Sequence, residues 1–159
     1  MSEALERLEL RRLVGEYAGA PKTWKPLVRH DVDQRVFVEL PSIPAVEAWL
    51  ICWMPGHDTG FHDHDLSSGA VTVVQGQLRE ERLAWAGGVS ANVYTAGDTF
   101  DFSPKDIHRV VHPGGEPAVS IHVYSPRLQV MGAYAFGQGG MQRHLLGPDD
   151  ELKPLSATG

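Results

Sequence analysis

The segment Phe61-His62-Asp63-His64 places two histidines one residue apart. Side chains alternate along a β-strand, so His62 and His64 would project from one face and could grip a single ion. A third histidine from a neighbouring strand would complete a three-nitrogen face, and His108, in Ile107-His108-Arg109, is the candidate. Three protein ligands leave other metal positions open, which points to chemistry rather than scaffolding. Imidazole donors suit iron, zinc, copper or nickel. Spacing alone also allows a chance pairing, because the chain has eight histidines.

A second constellation lies in Ser120-Ile121-His122-Val123-Tyr124. Ser120, His122 and Tyr124 stand at i, i+2 and i+4, on one face of a strand, and Ile121 and Val123 face the other way. A hydroxyl, an imidazole and a phenol in a row can form a hydrogen-bond relay. The same spacing also describes the polar face of a one-sided strand.

Both constellations need strands to position them. Residues 2–18 read as an amphipathic helix, with Leu5, Leu8, Val14 and Tyr17 near one stripe and Leu13 beside it. Ser2 is the candidate N-cap, and Gly19 with Pro21 gives the stop signal. From residue 35 the pattern changes to short strand-like runs: 35–40, 46–53 and 69–76 are rich in β-branched and aromatic residues, 77–84 alternates more weakly, and 93–102, 108–112, 118–125 and 129–136 follow. Glycines at 76, 87, 88, 97, 114 and 115 fall where turns are needed. Many closely spaced strands predict an all-β sandwich or small barrel behind an N-terminal helical segment. The chain divides into a helix and connector (1–30), a barrel (35–136) and a polar coil tail (138–159), all within one domain.

Bulk composition narrows the function. The 159 residues suit one domain, with 42% apolar and 21% charged residues. A net charge of -6 argues against a nucleic-acid partner, which needs a basic face. The single cysteine, Cys52, allows no internal disulfide. The N-terminal MSEALERLELRR lacks an apolar core of signal-peptide length, and no run approaches the ~20 apolar residues of a membrane span. A cytoplasmic protein without a membrane partner is the expectation.

The glycines before His62, and Gly97-Asp98 followed by Phe100-Asp101-Phe102-Ser103-Pro104 and then His108, are similar to the paired motifs of the cupin superfamily. That implies a cupin-type jelly-roll barrel. The usual cupin has a glutamate soon after its HxH, but HDHDLSSGA has none, and Gly69 stands near its place. The implied site is three-histidine and neutral. A neutral ligand set favours an anionic donor from the substrate, and a thiolate is a strong candidate.

Within that superfamily the chain resembles the cysteine dioxygenases and related thiol dioxygenases. The resemblance runs from about Arg35 to Tyr124 and includes CWMPGHDTGFHDH (52–64), VVQGQLRE (73–80), DIHRVVH (106–112) and EPAVSIHVYSPR (116–127). It implies an iron(II) enzyme that oxidises L-cysteine with O2 to cysteine sulfinic acid, with a small thiol and O2 as its partners. His62, His64 and His108 would hold Fe(II), and Tyr124, His122 and Ser120 would form the catalytic relay. The resemblance also implies an early-strand arginine for the substrate carboxylate. Arg35, 27 residues before His62, is the candidate. Gln34 is its rival, since the 3-mercaptopropionate dioxygenases use glutamine at this station and adjacent strand residues face opposite sides. Mammalian members carry a tyrosine-linked cysteine where Gly69 stands here, so Tyr124 should be an unmodified phenol. Trp53 reads as core packing and His57 as an outer support of the site. Alternatives are a 3-mercaptopropionate or other thiol-acid dioxygenase, a zinc or nickel cupin such as an isomerase, and a non-catalytic metal-binding cupin. A monomer or weak homo-oligomer is expected.

Overall fold

The computed structural model describes residues 4–84 and 86–155. Helix α1 (Arg7–Ala18) leads through the short α2 (Pro21–Trp24) and a 3-10 turn (Lys25–Leu27) into eleven strands. These are β1 (Val36–Leu40), β2 (Glu47–Trp53), β3 (His62–Asp63), β4 (Ser68–Gln75), β5 (Gln77–Leu83), β6 (Val89–Thr95), β7 (Thr99–Phe102), β8 (His108–Val111), β9 (Ala118–Ser125), β10 (Met131–Gly137) and β11 (Gly140–Leu146). They form a five-stranded sheet ordered β1-β2-β9-β4-β7 and a six-stranded sheet ordered β11-β10-β3-β8-β5-β6, every pair of strands antiparallel. No helix among the described residues is long and apolar enough to cross a membrane.

Alternation divides the core in two. On β2, Ala48, Leu50 and Cys52 join Val119, Ile121 and Val123 of β9 under Leu10 and Val14 of α1. The intervening Ile51 and Trp53 point between the sheets, where they meet Val71, Phe100, Phe102 and Tyr124, with Leu78 and Val110 from the six-stranded sheet. The helix therefore caps the outer face of the five-stranded sheet and leaves its inner face for the site. Strand β9, central and covered on both sides, is buried at every position.

The stripe of α1 differs from the sequence expectation at one residue. Leu10 and Val14 are fully buried, with Leu5, Leu13 and Tyr17 packed beside them, whereas Leu8 is 81% exposed. Two residues on a helix are ~200° apart, so Leu8 lies opposite Leu10. Ser2, the expected N-cap, lies outside the described residues. The run 93–102 is two strands in different sheets, joined by a turn at Gly97 (φ +99°).

The expected coil tail needs a larger correction. Residues 140–146 form β11, which pairs with β10 across the Gln138-Gly139 turn. The strand is an edge and almost wholly exposed, so it shows no hydrophobic alternation. The following segment turns back over the barrel, and Leu155 bridges Ala135.

Candidate active site

His62 lies directly opposite His108 across β3 and β8, and His64 follows immediately after β3. One ligand nitrogen from each of the three lies within 4.8 Å of the others, and all three side chains are buried. The Nδ1–H of His62 donates to the Gly60 carbonyl at 2.9 Å. A carbonyl only accepts, so Nε2 of His62 carries the lone pair. Gly60 adopts φ +67°, and the Lys153 carbonyl and Pro154 leave no room for a Cβ. His108 Nδ1 lies 2.7 Å from the Glu80 carboxylate. Two buried nitrogens, His108 Nε2 and His64 Nδ1, have no hydrogen-bond partner. Burial lowers the pKa of His62 to about 4, opposed in part by its bond to Gly60. Burial, and then the neighbouring imidazoles, push His64 and His108 well below the ordinary value. Three neutral imidazoles with converging donors and an orphaned buried nitrogen fit a divalent metal ion.

What holds β3 in place lies on its outer side. Asp63, between the two histidines, points away from the cluster and accepts two bonds from Arg143 of β11, at 2.8 and 2.9 Å. The Tyr134 hydroxyl and the backbone N–H groups of Gly132 (3.1 Å) and Asp65 (2.9 Å) also donate to it. Burial works to raise the Asp63 pKa, but the bonds from Arg143 and Tyr134 outweigh it and hold the carboxyl at about 2. Arg143 reaches across β10 at Gly132, where any side chain would collide with the guanidinium.

The facing wall is β9. The indole N–H of Trp53 donates to Ser120 Oγ at 2.9 Å. Ser120 Oγ lies 2.6 Å from His122 Nε2, and His122 Nδ1 lies 3.2 Å from the Tyr124 hydroxyl. Indole only donates, and Ser120 Oγ has no other partner here. The arrangement that satisfies every group has Ser120 donating to Nε2 and His122 Nδ1–H donating to Tyr124, which leaves the phenolic hydrogen free. Burial, then the charges of Arg35 and His62, keep His122 neutral with a pKa of about 3. Burial and the Glu47 charge push the Tyr124 phenol up, so it stays protonated. The Tyr124 ring is 5.3 Å from that of His64, which connects the relay to the histidine cluster.

Arg35 precedes β1 and is 6% exposed, whereas Gln34 is exposed. Its guanidinium lies over the rings of Phe37 (5.0 Å) and Trp53 (5.1 Å), donates to the Leu152 carbonyl, and stands 3.9 Å from Glu151. Burial lowers its pKa, against the charges of Glu151 and Tyr124. Arg35, the three histidines, His122 and Tyr124 all line one cavity of about 840 Å³.

Gly69 pairs with Tyr124 on one side and Phe102 on the other. A Cβ there would overlap the Phe102 ring, which stacks on His64 at 4.2 Å. Phe102 thus occupies the space that a glutamate or cysteine at this station would need. Cys52 faces the opposite side of its sheet, under α1.

The structure brings six of the seven expected residues to one cavity, and the seventh, Ser120, is buried behind His122. His57 is spent elsewhere: its Nδ1 accepts from the Met54 N–H, and its Nε2 lies 3.1 Å from the Val32 carbonyl. Trp53 packs in the core as expected and also anchors Ser120. Sequence reasoning missed Glu80, the Asp63–Arg143–Tyr134 clamp, and the closing segment 147–155. Glu80 alternates with the buried Leu78 on β5, on the face that meets His108, but its charged neighbours Arg79, Glu81 and Arg82 hide that pattern in the sequence.

The model of the cysteine dioxygenase type I family matches residues 2–136. The cysteine dioxygenase type 1 of Danio rerio is 26% identical over 140 residues, covering 80% of this chain and 69% of its own length. The human protein of that name is 30% identical over 94 residues, covering 54% of this chain, which spans 47% of that relative. A solved protein with a double-stranded β-helix domain from Klebsiella pneumoniae subsp. pneumoniae MGH 78578 is similar in fold, with TM-score 0.56 and 19% identity over 64% of this chain and 80% of that one. The architecture is therefore the double-stranded β-helix of the cupins, with an N-terminal helix added. The family match runs through Arg35, both histidine motifs and the Ser120–Tyr124 relay, and the chain belongs to the cysteine dioxygenase type I family of non-haem dioxygenases.

Proposed function

We propose that this protein is an iron(II) thiol dioxygenase that converts L-cysteine and O2 to cysteine sulfinic acid, with both oxygen atoms ending on sulfur. One observation carries the reading: three neutral imidazoles converge in the same cavity as a protonated phenol and a buried guanidinium. His62, His64 and His108 would hold the ion. When bound, ferrous iron supplies thiolate formation at neutral pH and a site for dioxygen.

The remaining work belongs to the chain. Arg35 binds the substrate carboxylate through the donors that Leu152 leaves free, and Phe37 and Trp53 hold the guanidinium plane. Tyr124 donates its hydroxyl hydrogen toward the reacting atoms, and its high pKa keeps that hydrogen in place. His122, held by Ser120 and Trp53, fixes the direction of the phenol. Val71, Phe102 and Ile51 line the cavity and limit water. The burial of Arg35 and exposure of Gln34 support arginine as the carboxylate partner.

Oxygen uptake by the iron-loaded protein tests this reading. L-Cysteine should be consumed with one O2 per sulfinate formed, and faster than 3-mercaptopropionate. A faster reaction with 3-mercaptopropionate would move the substrate to the thiol acids. No uptake with any thiol would leave a metal-binding cupin without catalysis.

A further inference from the structure

Glu80 is the least expected charge in the molecule. It lies inside the six-stranded sheet, 1% exposed, at a position where β5 could carry leucine. Its two oxygens are divided between two partners. Oε1 accepts from Arg82 Nε at 3.0 Å, and Oε2 lies 2.7 Å from His108 Nδ1. Arg82 is fastened in turn: it donates to the Asp101 carbonyl and lies 3.4 Å from Asp106. Asp101 is itself held by Arg7 and Arg11 of α1. The carboxylate therefore has little freedom to leave His108.

The three histidines differ in what stands behind them. His62 is backed by a neutral carbonyl, His64 Nδ1 has no partner, and His108 is backed by a carboxylate. An ionised carboxylate only accepts, so His108 Nδ1 must donate, and the lone pair must sit on Nε2. Nε2 is the buried His108 nitrogen that has no protein partner. A carboxylate behind a ligand imidazole fixes its tautomer and makes it a stronger donor. An Arg82 ion pair alone would not require the second oxygen to face the histidine.

We infer that Glu80 is a positioning residue for the metal centre, holding His108 in the Nδ1–H tautomer and placing behind it the negative charge that the three-histidine ligand set lacks. This rests on the metal reading proposed above. It makes His108 the strongest donor of the three.

Two measurements test it. In the metal-free wild-type protein, nitrogen-15 NMR of the histidine rings should show His108 protonated at Nδ1. Protonation at Nε2 would overturn the inference, whether or not any variant folds. Ferrous ion should bind E80Q about 10–100-fold more weakly than the wild type under anaerobic titration. The iron(III)/iron(II) midpoint potential of E80Q should also be more positive, because removing a negative charge favours the less charged ion. The metal-free E80Q and wild-type melting temperatures serve as the folding control, since a purely structural role would move those and not the potential. Affinity within threefold and an unchanged potential in a folded E80Q would overturn the role of Glu80 alone. Wild-type protein that takes up no ferrous ion would sink both this role and the metal reading.

Discussion

The two sheets meet at the cavity but hold their halves of the site by different forces. The six-stranded sheet contributes His62, His64 and His108. It does so from short elements: β3 is two residues long and β8 is four. Polar groups keep these in register, with Asp63 gripped by Arg143 and Tyr134 outside and Glu80 gripped by Arg82 inside. The five-stranded sheet contributes Ser120, His122 and Tyr124 from an eight-residue central strand, with Trp53 on the neighbouring β2. Apolar burial holds that half: Ile121 and Val123 anchor β9 beneath α1 while the relay faces inward. A metal face must present lone pairs at fixed angles, and the directional bonds behind His62 and His108 do that better than packing, while His64 is held by its stack on Phe102. A relay along one strand inherits its spacing from the pleat and needs only that the strand stay still.

The largest effect should come from the six-stranded half. H108A should lose the metal almost entirely by elemental analysis after anaerobic loading, while the near-ultraviolet signal of buried Trp53 stays native. Full metal stoichiometry in H108A would remove His108 from the ligand set and erase the division of labour between the sheets.

D63N should follow. It keeps the size of the residue but breaks a half-buried, bidentate ion pair, at a cost of about 1–2 kcal/mol in urea unfolding. Metal affinity should drop with it, because β3 loses its outer clamp. The pH dependence separates Asp63 from the buried histidines, since His62 of the six-stranded sheet is also held low, at about 4, and shares the upper window with His122. The folded pKa of Asp63, about 2, lies below its ordinary 3.8. Its stabilisation is therefore full above about pH 4 and fades as pH falls toward 2. The folded pKa of His122, about 3, lies below its ordinary 6.5. Between those values the unfolded chain holds the extra proton, so the relay half loses stability as pH falls from 6.5 toward 3. In metal-free protein, D63N should flatten the lower window and H122Q part of the upper one. Identical pH profiles for the two variants would show the sheets to be coupled throughout.

The same contrast explains what could be read from the sequence. The relay half was legible because period-2 alternation shows both its polar face and its apolar anchor, Ser120-His122-Tyr124 against Ile121-Val123. His62, His64 and His108 were legible as residue types, since imidazole spacing carries its own chemistry. Their supports were not. Arg143 lies 80 residues from Asp63 on an exposed edge strand whose alternation is masked by polar residues on both faces. Glu80 sits in QLREERL, where three acidic or basic neighbours make the run look solvated. The Arg35 choice was open on spacing alone. It rests structurally on the Phe37 and Trp53 rings and on a carbonyl from the far end of the chain. Groups held by long-range polar pairing leave little local pattern, and this is the half of the site that the six-stranded sheet carries.

Smaller effects belong to the five-stranded half, and they should fall on turnover rather than metal content. Y124F should retain full metal occupancy and lose on the order of 10²-fold in kcat, as expected for one donor aimed at the reacting atoms. W53F should do less. It leaves Ser120, His122 and Tyr124 in place but removes the one group that only donates, so nothing compels Ser120 to direct its hydrogen toward His122. Losing a single neutral hydrogen bond is worth roughly 1 kcal/mol, which corresponds to a few-fold drop in kcat. Trp53 also underlies the Arg35 guanidinium, so KM for L-cysteine should rise in W53F and stay unchanged in Y124F. If W53F instead lost metal, packing at the centre of the five-stranded sheet would be setting the histidine geometry as well, and the two halves would have to be treated as a single unit.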